Sequence, residues 1–169
     1  YTAPLRRVIQ ALKYHRVETM CARLGEMLAM ALHARHGEQP FDIVLPVPMH
    51  WRRRLRRGCD HARILAHPVA RRLDLPLGAE LARIRHTPPQ VHLPRTQRLA
   101  NIHGAFAVTR PRDIEGARIL LVDDVTTTGA TANEAARTVL RAGASSVHLA
   151  VVAKAEAPRA YTEHLPPTT

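Results

Sequence analysis

Apolar and polar positions along the chain alternate between two periods, and that switching predicts the fold. Leu5, Val8, Ile9 and Leu12 recur at helical spacing in Pro4 to Tyr14. Met20, Leu24, Met27, Leu28 and Ala31 continue the pattern as a core-facing stripe from Glu18 to Ala34. Phe41 to Leu45 is a continuous apolar run of strand length, stopped by Pro46-Val47-Pro48, where two residues lack an N–H. Asp60 to Leu73 returns to the helical period, and Pro68 predicts a kink or restart near His67.

Beyond it, Leu81 to Arg85 reads as a weak strand. His86 to Gly104 is polar, contains prolines and lacks periodicity, so it predicts a long loop of the kind that carries function. Phe106 to Val108 predicts a short strand and Arg110 to Gly116 a turn. Ile119 to Val122 is a run suited to a strand buried on both faces, with Asp123 and Asp124 expected where it ends. Ala132, Ala135, Ala136, Val139 and Leu140 then mark a helix closed by Gly143. Val147 to Ala153 predicts a last buried strand. The order implies an α/β fold: a mostly parallel sheet flanked by helices, with residues 1–40 as a helical lead-in. Residues 1–153 make the domain, and 154–169, with three prolines and few apolar side chains, a mobile tail.

The motif chemistry concentrates in ILLVDDVTTTGAT, Ile119 to Thr131. A strand, a loop of small hydroxylated residues around Gly129, and a helix start together make an anion site. The first N–H groups of a helix lack intrahelical partners and point into the loop. Asp123 and Asp124 would repel a phosphate, so they suit sugar hydroxyls or a water-mediated Mg²⁺. A Walker B element is excluded because the chain has no Gly-Lys pair.

Composition narrows the setting. The 169 residues, 46% hydrophobic and 23% charged, suit one soluble globular domain. Cys21 and Cys59 are too few for a disulfide framework or zinc cluster, which predicts a reducing cytoplasm. No run of membrane-spanning length and no signal peptide is visible; Tyr1 rather than Met opens the chain, which leaves room for an upstream piece. His33 and His36 share a helix face but lack a third ligand, so no metal site is assigned to them.

Net charge is +11 and nearly all of it is Arg, with Lys13 and Lys154 the only lysines. This predicts polyanionic partners: a pyrophosphate, nucleic acid, or both. Trp51 to Gly58 carries Arg52, Arg53, Arg54, Arg56 and Arg57 after the first strand, more than one pyrophosphate needs. Ligand contact, a DNA-facing patch and a solvated run all remain open for it.

DDVTTTGAT resembles the phosphoribosyl-pyrophosphate motif of the type I phosphoribosyltransferases. The resemblance implies that Asp123 and Asp124 hold the ribose hydroxyls as catalytic residues. It also implies that Thr127, Thr128, Gly129, Ala130 and Thr131 wrap the 5′-phosphate. With DIVLPVPMHWRRRLRRG and RHTPPQVHLPRTQRLANIHGAF, roughly residues 1–153 resemble the ComF (GntX-like) competence family. That implies a phosphoribosyltransferase-like domain, usually preceded by a four-cysteine zinc module absent here. It also implies a cytoplasmic role in natural transformation beside single-stranded DNA and a helicase partner.

The candidate pyrophosphate set is Val47, Met49, His50, Arg52, Arg53, Gln90 and Arg98, with Mg²⁺ as the accompanying cofactor. The chain departs from the family at Cys59-Asp60-His61, where Phe-Asn-Gln is usual, and at His92 and Pro94, where the long loop has Gly and Ser. Two functions from different classes remain open. One is pentosyl transfer from phosphoribosyl pyrophosphate; the other is a non-catalytic phosphate- or DNA-binding module. No acceptor-base pocket is legible.

Overall fold

A computed structural model describes residues 18–37, 41–50, 59–85, 87 and 101–155. The Pro4–Tyr14 helix, the arginine run, most of the long loop and the tail lie outside the described residues. Three strands make a parallel sheet in the order β1 (Ile43–Pro46), β4 (Arg118–Thr126), β5 (Ser146–Lys154). The register sets Ile43 against Ile119 and Pro46 against Val122, and Asp123 against Val151 on the other side. A single parallel bridge, Val44 to Leu77, lies on the outer edge of β1.

Side-chain alternation along these strands divides the interior in two. Ile43, Leu45, Ile119 and Leu121 face a cluster closed by α3 (Ala130–Arg141) and by the pair β2 (Leu81–Arg83) and β3 (Phe106–Val108). Val44, Leu120 and Val122 face the opposite cluster, under α1 (Glu18–His36) and α2 (His61–Arg72). Ile119 through Val122 are fully buried, as a strand covered by helices on both faces requires.

Several expectations need correction. The strand expected to end at Val122 runs on to Thr126, because β5 supplies partners as far as Thr126 opposite Lys154. Asp123 and Asp124 therefore sit inside β4. Leu81 to Arg85 does not join the parallel sheet: β2 pairs antiparallel with β3, Leu81 opposite Val108, as a separate two-stranded sheet. The buried face of α1 is Cys21, Gly25 and Ala29, flanked by Leu24 and Leu28, while Met27 and Met30 are exposed; Ala31 is exposed too.

Pro68 does not restart α2, which runs as one helix from His61 to Arg72. Its ring packs against Gly25, where an added Cβ would stand 2.4 Å from Pro68 Cγ and 2.6 Å from the Leu65 carbonyl oxygen. Only glycine admits that approach, and it turns the 21/25/29 face of α1 onto α2. β3 at Phe106–Val108 and Gly143 at φ +105 just past the end of α3 fall as expected. The last strand forms, but as an edge of the three-stranded sheet it is not buried throughout: Ala150 and Ala153 are buried while His148 and Leu149 are exposed. Leu140 at the end of that helix is exposed rather than core. No helix among the described residues is long and apolar enough to cross a membrane.

Candidate functional site

β1 and β4 are hydrogen-bonded neighbours, so the segments that leave their carboxyl ends run side by side. In parallel α/β sheets this is where ligands bind. A cleft of about 160 Å³ opens there. Its lining includes Val47, Pro48 and Met49 after β1, Asp123, Asp124 and Val125 of β4, and Thr131 of α3. The Val47 N–H donates to the Val122 carbonyl at 2.8 Å, which extends the sheet ladder to the rim of the cleft.

The loop from β4 to α3 has the geometry of an anion cradle. Gly129 precedes the helix at φ 76°, ψ 0°, a left-handed conformation that glycine adopts without penalty. The N-cap Gly129 offers α3 no side-chain cap, and the helix's first turn carries no acid to offset its positive end. Thr128 Oγ1 accepts the Ala130 N–H at a long 3.4 Å. Thr127 is exposed, Thr128 and Gly129 are half-buried, and Ala130 is buried.

Opposite charge is concentrated on the strand. The Asp124 N–H donates to Asp123 Oδ1 at 2.9 Å, and the Val125 N–H donates to Asp124 Oδ1 at 2.7 Å. These bonds fix both carboxylates. Burial pushes the Asp123 carboxyl well above its ordinary value of 3.8, and the neighbouring Asp124 and Asp60 charges push in the same direction. Asp60 lines the cleft as well, held as the N-cap of α2 by accepting the Arg63 N–H at 3.3 Å. Three carboxylates thus crowd one small cleft.

His61 and Arg83 also line it, and sequence reasoning assigned neither to the site. The His61 side chain is 4% exposed, with Nδ1 3.7 Å from Asp124 Oδ2. Arg83 lies with its guanidinium carbon 5.5 Å from the Phe106 ring centroid and donates to Thr87 Oγ1. His61 follows the N-cap Asp60 at the start of α2, and the packing of that helix carries it to the cleft. No sequence signal pointed to Arg83, since its place depends on how β2 and β3 dock.

Of the predicted set, Asp123, Asp124, Val47, Met49 and Thr131 come together around the cleft. His50 is buried and does not line it. Arg52, Arg53, Gln90 and Arg98 lie outside the described residues. The two ends of the long loop are nonetheless tied together. Arg85 donates to the carbonyls of His103 and Asn101 at 2.9 and 3.3 Å, and the Gly104 N–H donates to the buried Glu134 of α3 at 2.8 Å. Among the described residues, no three or more His, Cys, Asp or Glu are arranged to hold a metal ion.

Comparisons with known proteins agree with this architecture. Residues 60–165 match the family model of the phosphoribosyl transferase domain. The chain is 35% identical over 153 residues to the DNA utilization protein YhgH of Escherichia coli, covering 88% of this chain and 66% of that protein's length. It is 30% identical over 160 residues to competence protein F of Haemophilus influenzae, covering 92% of this chain and 70% of the relative. Among solved structures, glutamine phosphoribosylpyrophosphate amidotransferase from B. subtilis superposes with a TM-score of 0.53 at 22% identity. That match covers 78% of this chain and 26% of the enzyme. The fold is that of the type I phosphoribosyltransferases, and the chain belongs to the phosphoribosyl transferase domain family, in the group of competence protein F and the DNA utilization proteins.

Proposed function

We propose that the cleft binds phosphoribosyl pyrophosphate together with Mg²⁺. The observation that carries this reading is the carboxylate pair Asp123–Asp124 leading into the glycine-capped α3 terminus, beside the end of β1. Carboxylates accept hydrogen bonds from ribose hydroxyls, while N–H groups and threonine hydroxyls suit a 5′-phosphate. In this reading Thr127 to Thr131 wrap that phosphate. The pyrophosphate lies toward Val47 and Met49, with Arg52, Arg53, Gln90 and Arg98 supplying charge and donors.

The donor set fits Mg²⁺. This ion keeps several waters and is held by one or two carboxylates plus substrate phosphates, not by an all-protein cage. Asp60, Asp123 and Asp124 offer the carboxylates; burial, with the Asp124 and Asp60 charges beside it, raises the Asp123 carboxyl above its ordinary value, and a cation would offset that cost. When bound, the ion offsets charge on a departing pyrophosphate. The chain's own residues orient the ribose and hold its phosphate, which is the positioning that pentosyl transfer to an acceptor requires.

The names of the relatives, competence and DNA utilization, support a role in handling DNA. Single-stranded DNA and a helicase partner in the cytoplasm belong to this proposal through the motif resemblance alone. The excess of +11 is the charge such a partner would meet. A calorimetric titration of the full chain with phosphoribosyl pyrophosphate, with and without Mg²⁺, tests the ligand reading. Saturable binding strengthened by Mg²⁺ is expected, and no heat under either condition would refute it. Pyrophosphate release in the presence of candidate acceptor bases separates transfer from binding alone.

A further inference from the structure

We propose that His61 and Asp124 jointly ligate a first-row divalent transition ion, so that the cleft prefers Mn²⁺ to Mg²⁺. The inference deepens the ribose-phosphate reading of this cleft and rests on it for the ion's place beside the ligand. Its starting point is a buried ring nitrogen. His61 is the first residue of α2, its side chain is 4% exposed, and Nδ1 is buried with no hydrogen-bond partner among the described residues. A buried polar atom left unsatisfied is uncommon in a folded protein and marks a missing proton, water or ion.

The geometry selects among these. Asp124 Oδ2 stands 3.7 Å from Nδ1, beyond hydrogen-bond length. Ligand bonds of about 2.0–2.2 Å leave two ligands of one ion roughly 3–3.6 Å apart, so an ion would draw the two groups slightly closer than they stand. The Val125 N–H holds Asp124 Oδ1 at 2.7 Å, which sets the carboxylate's orientation toward the ring. Both groups line the same cleft, and the carboxyl groups of Asp60 and Asp123 line it beside them. Only two protein ligands are needed; water and ligand oxygens fill the rest.

The chemistry then favours a particular class of ion. Imidazole nitrogen is a ligand for first-row transition ions, whereas Mg²⁺ takes oxygen almost exclusively. Mn²⁺ is the transition ion that also accepts carboxylate, water and phosphate oxygens readily. A proton shared between His61 and Asp124 is the competing account, and it predicts no metal–nitrogen bond.

Electron paramagnetic resonance of the full chain titrated with Mn²⁺ tests this, with and without phosphoribosyl pyrophosphate. Nitrogen hyperfine coupling in the bound-ion spectrum is expected, together with displacement by Mg²⁺ only at much higher concentration. His61→Gln keeps the side chain's approximate size; it should abolish the coupling, weaken Mn²⁺ on the order of 10-fold or more, and bring the two ions near parity. Absence of bound Mn²⁺ in both states, or bound Mn²⁺ without nitrogen coupling, would overturn the proposal. So would unchanged affinity in a folded His61→Gln variant. The coupling is read on the unaltered chain, so it decides the matter even where the variant fails to fold. Phosphoribosyl pyrophosphate binding in Mg²⁺ with no nitrogen coupling sinks this inference alone. Coupled Mn²⁺ without such binding sinks the ligand reading instead.

Discussion

Replacing Asp123 by Asn sets the needs of the ligand against those of the fold. The amide retains an oxygen for the Asp124 N–H, which lies 2.9 Å from Asp123 Oδ1, so the strand keeps that bond. What disappears is a buried charge that Asp124 and Asp60 both repel. Relieving strain of this kind at a functional site commonly adds about 0.5–2 kcal/mol. In a domain of this size each kcal/mol corresponds to about 2–4 °C in Tm.

The sign depends on pH. Because the folded value is raised, Asp123 contributes stability below its ordinary value of 3.8, and that contribution is lost as pH rises through the folded value. At neutral pH the variant should therefore be the more stable protein, and the gap should close on acidification as the native carboxyl takes up its proton. Ligand affinity should move the other way, falling by about 1.5–3 kcal/mol for lost charge-assisted hydrogen bonds, or roughly 10- to 100-fold. Urea unfolding across a pH series and calorimetry with phosphoribosyl pyrophosphate measure the two halves. A variant less stable at neutral pH, or one that binds like the parent, would refute the reasoning.

Gly129→Ala should cost about 1–2 kcal/mol in unfolding experiments, because φ is +76 and a side chain strains that conformation. The new Cβ would stand 3.7 Å from Asn133 Nδ2, so no clash adds to the cost; an unchanged midpoint would show that the loop relaxes freely. Asp42 is held down at about 2 by hydrogen bonds from the Arg118 side chain and backbone. Its contribution to stability is present above the ordinary 3.8 and lost as pH falls toward 2, so Asp42→Asn should flatten the acid limb of the stability profile. An acid limb identical to the parent's would discount the pair.

The parts of the fold legible in the sequence are those set by local period. Ile119 to Val122 read as a doubly buried strand because four apolar residues between turn signals have few other uses, and the structure buries all four. The loop around Gly129 was legible because backbone demand and residue type coincide there. Other features depend on partners far away in sequence. β5 prolongs β4 past the acids, and no periodicity in DDVTT announces that. Gly25 and Pro68 each look unfavourable in a helix; 43 positions apart, they fit only as a pair. His61 and Arg83 reach the cleft through the placement of α2 and of the β2–β3 pair, which one residue's neighbours in sequence do not encode.

The charge of the cleft restricts what it can hold. Overall the chain is strongly basic, yet the described walls of this one pocket carry three aspartates against Arg83. A phosphate or pyrophosphate alone would meet net repulsion on that wall, whatever attracts it to the rest of the surface. The arrangement is consistent with anion binding only if the anionic part of the ligand sits at the α3 terminus and a hydroxyl-bearing part faces the acids. A cation between acids and pyrophosphate would satisfy the remaining charge. A sugar phosphate meets that division of labour, and free phosphate does not. Mg²⁺-dependent binding of phosphoribosyl pyrophosphate together with weak, cation-independent binding of inorganic phosphate would therefore distinguish a ribose-phosphate site from a general anion site.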